Sequence, residues 1–408
     1  MKIKLGDVCQ VYSGGDRPEI VFEEPTGEYK IPIYGNSLEN EGLYGYSNFS
    51  VINKKAITIS ARGSNCGVAF YRNEPYVPIV RLLSLIPDES IVNTEYLFYV
   101  IKNHPFKGSG SGQPQITIPQ VANCEVEIVE DIYLQKRIAK VLSGFDLKIK
   151  NNSAINIVLE ESAKTIYDYW FLQFDFPNEH GKPYKSSGGK MVWNEELQRE
   201  IPEGWEVKEL GSLIESVRGI SYNSSTLEGE GVPMINLASF NVDGSYKVSG
   251  IKTYSGEYGQ DKILKPYDLV MCNTQQTAID FKKDIIGKAL LVPDIFEGDI
   301  VSSHHVTRIK VEVEQLKFYL HRLFNTVFFH KYITGYTNGT NILGLVFDGV
   351  ERYKIVIPDD KTLLKFADIM ENIEKQKSKM LKENQELCSL REFLLPLLMN
   401  GQVGFRED

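Results

Sequence analysis

The sequence predicts a mixed α+β fold: two similar α/β domains separated by two long helices that form an antiparallel coiled coil, with an internal pseudo-two-fold repeat. Three observations predict it. Short motifs occur twice in the same order, each half passes from a strand- and turn-rich stretch into a long helical pattern, and the distal pattern is an unbroken heptad.

The repeat opens with Lys4-Leu5-Gly6-Asp7, which lies over Glu209-Leu210-Gly211-Ser212; an alternating apolar stretch and a glycine follow in both. Gly112-Gln113-Pro114-Gln115-Ile116 lies over Asn338-Gly339-Thr340-Asn341-Ile342. A β-like run comes next in each half, Glu125–Val129 and Tyr353–Pro358, before the helical pattern begins. Within the globular halves, Ala56–Ser60, Val77–Leu82, Leu269–Cys272 and Ala289–Val292 read as strands, and short helices are expected near Thr94–Lys102 and Gln315–Phe329. The resulting organisation is a first domain over 1–130, a proximal helix over 131–172, a linker over 173–203, a second domain over 204–359, a distal helix over 360–400 and a tail over 401–408. Ser186-Ser187-Gly188-Gly189 reads as a flexible part of the linker.

In the distal helix, Phe366, Met370, Ile373, Lys377, Met380, Asn384, Leu387, Arg391, Leu394 and Leu398 recur in alternating steps of four and three. That spacing keeps one seam turned toward a partner helix. Pro396 is expected to kink or end the last turn. An offset of 228 residues lays Ile138, Leu142, Phe145, Asn152, Asn156 and Leu159 of the proximal helix on the same seam, with Asn156 on Asn384. If the helices run antiparallel, facing numbers sum to about 536, and Asn152 faces Asn384, amide to amide. A helix of about thirty-three residues is about 50 Å long at 1.5 Å per residue, more than one duplex turn of about 34–36 Å. A stiff rod with two similar heads is thus a ruler for two half-sites.

The net charge of −9 speaks against a nucleic-acid binder taken as a whole, because phosphate contacts need Lys and Arg, but it averages over faces that differ. Five scattered cysteines, no two in a CxxC, fit a reducing cytoplasm and give neither a disulfide frame nor a zinc site. The start lacks the apolar run of a signal peptide, and no apolar stretch is long enough to span a membrane.

The repeated globular–helix order resembles the S subunits of type I restriction–modification enzymes over essentially the whole chain. The residues that carry the resemblance are the two opening motifs, Ile59-Ser60-Ala61-Arg62-Gly63 as a strand–turn, Gly112–Ile116 and Gly339–Ile342 before the helices, and Gly204-Trp205-Glu206-Val207 at the start of the second domain. The first helix departs from the family pattern: Asp131-Ile132-Tyr133-Leu134-Gln135-Lys136 stands where a proline-rich lead-in with a Glu-Gln step is usual. The resemblance implies two target-recognition domains that each read half of a split double-stranded DNA target, and helices that dock two methyltransferase subunits. It also implies restriction/translocase subunits in a larger complex. S-adenosylmethionine, ATP and Mg would serve that complex, with none bound by this chain.

Catalytic motifs are not apparent. Asn73-Glu74-Pro75-Tyr76 lacks the first proline of a methyltransferase motif, Gly108–Gly112 is a Gly/Ser turn, and Gly188-Gly189-Lys190-Met191 has neither the spacing nor the hydroxyl of a phosphate loop. Pro358-Asp359-Asp360-Lys361 reads as a helix cap, and His304-His305 as a structural strand end without a third metal ligand. The chain therefore reads as a non-catalytic specificity subunit.

Base edges are read by Arg and Lys on guanine and by Asn and Gln on adenine, and phosphates by hydroxyls and cations. The candidates lie in donor-rich loops: Arg62, Asn65, Lys107, Ser109, Ser111 and Gln113 in the first half, and Asn273, Thr274, Gln275, Gln276, Lys331, Tyr336, Asn338 and Thr340 in the second. Two other readings stay open: a coiled-coil adaptor joining two protein-binding modules without DNA, and a specificity half broken off a fused methyltransferase–nuclease.

Overall fold

Leu5 and Leu210, the apolar residues of the doubled opening motif, are both fully buried, and the same scaffold surrounds each. The computed structural model describes residues 1–63, 65–103, 106, 108, 115–276, 283–340 and 342–404. The chain divides into two units, Met1–Lys150 with Gln385–Asp408, and Asn151–Asn384.

The first unit contains β1 (Lys2–Lys4), the single turn α1 (Leu5–Val8), β2 (Cys9–Ser13), β3 (Ile31–Tyr34), β4 (Leu43–Ser47), β5 (Ala56–Ile59), β6 (Ala69–Arg72), β7 (Val77–Pro78), β8 (Leu83–Pro87), α2 (Thr94–Asn103), α3 (Ile118–Ala122) and β9 (Glu125–Glu127). An antiparallel sheet runs β2-β8-β5-β6; a second runs β4-β3-β7 with β3 and β7 parallel; β1 pairs with β9. Asn93 caps α2 through its side chain, 3.0 Å from the Tyr96 amide, and the helix buries Tyr96, Leu97, Val100 and Ile101 in a core with Ile57, Ile59 and Leu85. The long helix α4 (Ile132–Tyr167) begins in this unit and closes with a π-turn over Asp168–Leu172.

The second unit contains β10 (Met191–Asn194), β11 (Arg199–Pro202), β12 (Glu206–Glu209), β13 (Ile214–Arg218), β14 (Val232–Ile235), β15 (Lys252–Tyr254), β16 (Leu269–Cys272), β17 (Thr274–Gln276), β18 (Ala289–Leu291), β19 (Val301–Ser302) and β20 (Val306–Val311). There follow α5 (Leu316–Phe324), α6 (Val327–Ile333), β21 (Thr337–Asn338), β22 (Ile342–Leu345), α7 (Asp348–Glu351), β23 (Lys354–Ile357) and the long helix α8 (Asp360–Met399). Three of its sheets repeat those of the first unit strand for strand, β13-β20-β16-β18, then β15-β14-β19 with β14 and β19 parallel, then the pair β12–β23, while β10–β11 and β17-β22-β21 have no counterpart among the described residues of the first. Gly6 and Gly211 do the same task, since a Cβ on either would stand 3.0 Å from the Cβ of Ala122 or Glu351.

Several expectations need correction. The run Val77–Leu82 is not one strand: Val80 and Arg81 take left-handed φ values of 52° and 59°, so the chain turns after β7 and begins again at β8. The expected helix over 315–329 is split into α5 and α6 at Thr326, whose hydroxyl caps α6. The residues expected as a flexible linker are folded into the second unit. Phe176 stacks on Tyr184 and Trp205 at 4.6 and 4.9 Å, and β10 pairs with β11, so aromatic burial outweighs the Gly/Ser composition. The second motif is displaced by three residues. Ile116 donates to the Ala61 carbonyl as Leu345 donates to that of Asn273, so Leu345 and not Ile342 is the counterpart of Ile116; the β21–β22 hairpin takes up the difference. Pro396 does not stop α8, which continues to Met399 with Leu395 and Leu398 buried.

Each unit contains an antiparallel stretch of the two long helices. In the first, Ile138 and Leu142 are buried, Phe145, Leu387 and Leu394 are half-buried, and Asp146 pairs with Arg391. In the second, Phe366, Met370 and Ile373 are buried, while Asn156, Leu159, Met380 and Asn384 are half-buried. Asn152 is fully buried, and its amide donates to Asn384 Oδ1 at 2.9 Å and to Glu383 Oε2 at 2.8 Å. Ile138, Leu142, Phe366, Met370 and Ile373 also belong to the cores of their own units, because a helix face beside a sheet buries its apolar stripe against it.

Candidate nucleic-acid interface

A parallel strand pair builds the candidate surface in each unit. In the first, Gly14 and Gly15 lie against residues 79–82 just beyond the parallel β3–β7 pair. The Gly14 amide donates to the Leu82 carbonyl at 2.9 Å, and the amides of Val80 and Arg81 donate to the Gly15 and Gly14 carbonyls at 2.8 and 3.1 Å. A Cβ on Gly14 would stand 2.7 Å from the Pro78 carbonyl carbon, so only glycine permits this approach. Asn36 ties in a third segment: its Nδ2 donates to the Val80 carbonyl and its Oδ1 accepts from the Ala61 amide, both at 2.8 Å. Three guanidinium-bearing positions result, Arg17, Arg62 and Arg81. Arg17 donates to Tyr44 Oη at 2.7 Å, whereas Arg62 and Arg81 have no side-chain partner among the described residues.

The second unit places different side chains on the same backbone. The Gly219 amide donates to the Val306 carbonyl, His304 donates to the Ile220 carbonyl, and a Cβ on Gly219 would lie 2.2 Å from the Ser303 carbonyl oxygen. His304 and His305 thereby take the places of Val80 and Arg81, and Tyr222 that of Arg17. The two imidazoles are 3.8 Å apart between centroids, with the Tyr222 ring 5.4 Å from His304 and Lys252 Nζ 5.3 Å from the Tyr222 ring. Arg218 donates to the His304 carbonyl at 3.3 Å, and Thr274 Oγ1 lies 2.7 Å from His305 Nδ1. Burial, then the charges of His304, Arg218 and Lys252, lower the pKa of His305. His304-His305 is therefore not merely a strand end: the turn between β19 and β20 brings both rings into a cationic and aromatic cluster. Among the described residues no group of three or more His, Cys, Asp or Glu is placed to hold a metal.

The candidates read from the sequence have different fates. Arg62 forms a backbone bridge to Gln115 at the edge of the first surface, and Asn65 lies in the adjoining turn. Lys107, Ser109, Ser111 and Gln113 lie outside the described residues. Asn273 is corrected to a structural role: it is 8% exposed, and its amide donates to the His304 carbonyl at 3.2 Å and to Thr307 Oγ1 at 2.8 Å. Thr274 belongs to the second surface. Gln275 is occupied by the neighbouring segment, accepting from the Ile285 amide at 2.8 Å. Gln276 is in β17, with its backbone paired to Ile342. Lys331 is exposed on α6, and Asn338 and Thr340 are exposed around β21. Tyr336 packs 4.9 Å from Tyr332 and over Gly349, which makes it part of the core margin and not a reading side chain.

Sequence reasoning missed Arg17, Arg81, Arg218, Tyr222 and Lys252. Their common signal was faint: each is within four residues of a strand end of the parallel pair or its neighbours, but nothing in one dimension shows which strands pair.

Comparison with known proteins agrees with the duplication. A family model described as the type I restriction modification DNA specificity domain matches residues 1–161 and again 202–387. The chain is 26% identical to the type I restriction enzyme MjaIX specificity subunit of Methanocaldococcus jannaschii, over 97% of this chain and 89% of that one. It is 24% identical to the HindI specificity subunit of Haemophilus influenzae, over 80% and 81%. A crystal structure of the type I S subunit from M. genitalium shares the fold with a TM-score of 0.62 at 14% identity, over 98% of this chain and 96% of that one. Among the described residues no helix is long and apolar enough to cross a membrane. With the family's domain matched twice, this chain belongs to the type I restriction–modification DNA specificity family, and its task is recognition of a DNA target.

Proposed function

We propose that this chain reads a bipartite duplex target with the two surfaces just described and performs no chemistry itself. The observation that carries the reading is the repeated backbone platform. One topology presents Arg17, Arg62 and Arg81 in the first unit and Arg218, Tyr222, Lys252, His304 and His305 in the second. Arginines of the first set suit guanine edges and phosphates; the imidazoles and Thr274 of the second offer both donors and acceptors. Thr274, Lys331, Asn338 and Thr340 are the further candidate contacts in the second unit and Asn65 in the first, with Lys107, Ser109, Ser111 and Gln113 retained as candidates from the sequence alone. An acidic chain can bind DNA this way because the relevant field is local and partner subunits add to it.

Methyl transfer and cleavage then belong to partners, two methyltransferase subunits and restriction/translocase subunits, in a cytoplasmic complex that uses S-adenosylmethionine, ATP and Mg. Support for docking comes from apolar side chains left outward on the long helix α4: Leu147 in the first unit, and Ile155 and Val158 in the second, are 46–60% exposed. Mapping methylated bases in cells that carry this chain with its partners tests the reading. A split motif with a fixed gap is expected; a continuous motif, or no methylation, would sink it.

A further inference from the structure

A cavity of about 260 Å³ in the second unit has no part in the reading above. It is walled by α4, the 243–246 turn, the segment after β18, α5 and α8. Three of its lining residues carry buried polar atoms with no hydrogen-bond partner among the described residues: Asn156 Oδ1, Tyr246 Oη and His321 Nδ1. His321 is 4% exposed, and burial and the neighbouring Arg322 hold its ring neutral. A neutral imidazole leaves one ring nitrogen without a proton, so the unmet Nδ1 can serve as an acceptor. Asn156 Oδ1 can only accept, and the Tyr246 hydroxyl can accept as well. Unmet acceptors in such a place cost free energy until a donor arrives.

The charges around the cavity point the same way. Glu160 and Glu374 are neutralised by Arg322 and Lys377, two acids against two bases. Glu161 and Asp243, also on the lining, make no ion pair among the described residues, although Asp243 Oδ1 accepts from the Ser245 amide and hydroxyl and its charge acts on Lys288. Ile157, Leu290, Leu291, Pro293 and Leu381 supply apolar wall between these polar groups.

We infer that this cavity binds a small aliphatic amine, with one ammonium donating to Asn156, Tyr246 and His321, methylenes along the apolar wall, and further positive charge met by Glu161 and Asp243. An anion would meet bare acceptors and unpaired carboxylates, and a neutral hydrocarbon would leave the acceptors unmet. This inference does not depend on the DNA-reading proposal.

The test is calorimetric titration of the full chain with 1,4-diaminobutane at fixed ionic strength, alongside the exposed double variant Glu161→Gln/Asp243→Asn and a His321→Phe variant. Saturable one-to-one binding is expected, weakened at least tenfold in the double variant, with the His321 ring nitrogen resonance shifting only in chains that bind. Binding no different from that of sodium chloride, or equal binding by wild type and double variant, overturns the inference. A chain whose cavity holds only water gives the first of those results. Loss of folding in His321→Phe leaves the double variant to decide, since both of its sites are exposed.

Discussion

Asn152 and Asn384 meet in the helix seam, Nδ2 to Oδ1 at 2.9 Å, with Asn152 fully buried. The contact is polar where apolar residues would pack more strongly, so its value is in register: only one alignment of the two helices lets the amides meet. Asn152→Leu is expected to cost ~1–3 kcal/mol, because it takes from the Asn384 side-chain carbonyl the amide donor it meets in the seam. The double variant Asn152→Leu/Asn384→Leu should recover most of that loss. Urea unfolding of the two singles and the double measures the coupling, and additive losses would remove the pairing argument.

Arg322 joins α5 to both long helices through Glu160 and Glu374, and all three groups are largely buried. Arg322→Met should destabilise the chain by ~3–5 kcal/mol, since it leaves two carboxylates facing each other without their main counter-ion. Thermal unfolding checks this; a change below about 1 kcal/mol would mean that Lys377 alone suffices.

Glu160 gives the same network a pH signature. Burial pushes its carboxyl up, but the charges of Arg322 and Lys377 outweigh that and hold it well below the usual range. A depressed carboxyl stabilises the fold above its unfolded pKa of about 4.3, and that stability drains away as pH falls toward the folded value. Stability measured from pH 6 down to pH 2 should therefore drop more steeply in wild type than in Glu160→Gln.

Arg62→Ala and Arg81→Ala are each expected to cost ~1–3 kcal/mol in duplex binding if their guanidinium groups reach base edges. Because both belong to the first surface, methylation specificity should relax in one half of the target only. Relaxation in both halves, or in neither, would contradict the assignment of one half to each surface.

His305 should make binding by the second surface sensitive to pH. Burial and the charges of His304, Arg218 and Lys252 hold the His305 ring below its ordinary pKa, so it is neutral at pH 7 in the free protein. A duplex phosphate bound there, as the proposed surface requires, would offset that repulsion and favour the proton. Affinity of the assembled complex should rise as pH falls from about 7.5 to 5.5, with proton uptake at His305. Replacing both histidines by Gln should flatten the profile.

Much of this architecture is legible in the sequence, for physical reasons. Leu5-Gly6 and Leu210-Gly211 are local requirements of one packing arrangement, so they recur in plain text. The heptad is legible because a seam forces a period. The surfaces are not, because Gly14 meets Pro78 and Gly219 meets Ser303 only through a parallel pairing of distant strands. Asn273 misleads for a related reason: a polar residue just after a strand can face inward when a threonine and a carbonyl await it, as Thr307 and His304 do. The stretch 173–203 misleads because its glycines and serines are more conspicuous than the few aromatics that fold it.

The tip of each surface is fastened by main-chain atoms: amides and carbonyls at 14–15 with 80–82, and at 219–220 with 304–306. Such a fastening is blind to the identity of the side chains it displays, as the exchange of Val80-Arg81 for His304-His305 already demonstrates within one molecule. If these tips read DNA as proposed, a lineage could rewrite its preferred word by point substitution, one half at a time, while the frame that presents the letters stays as it was.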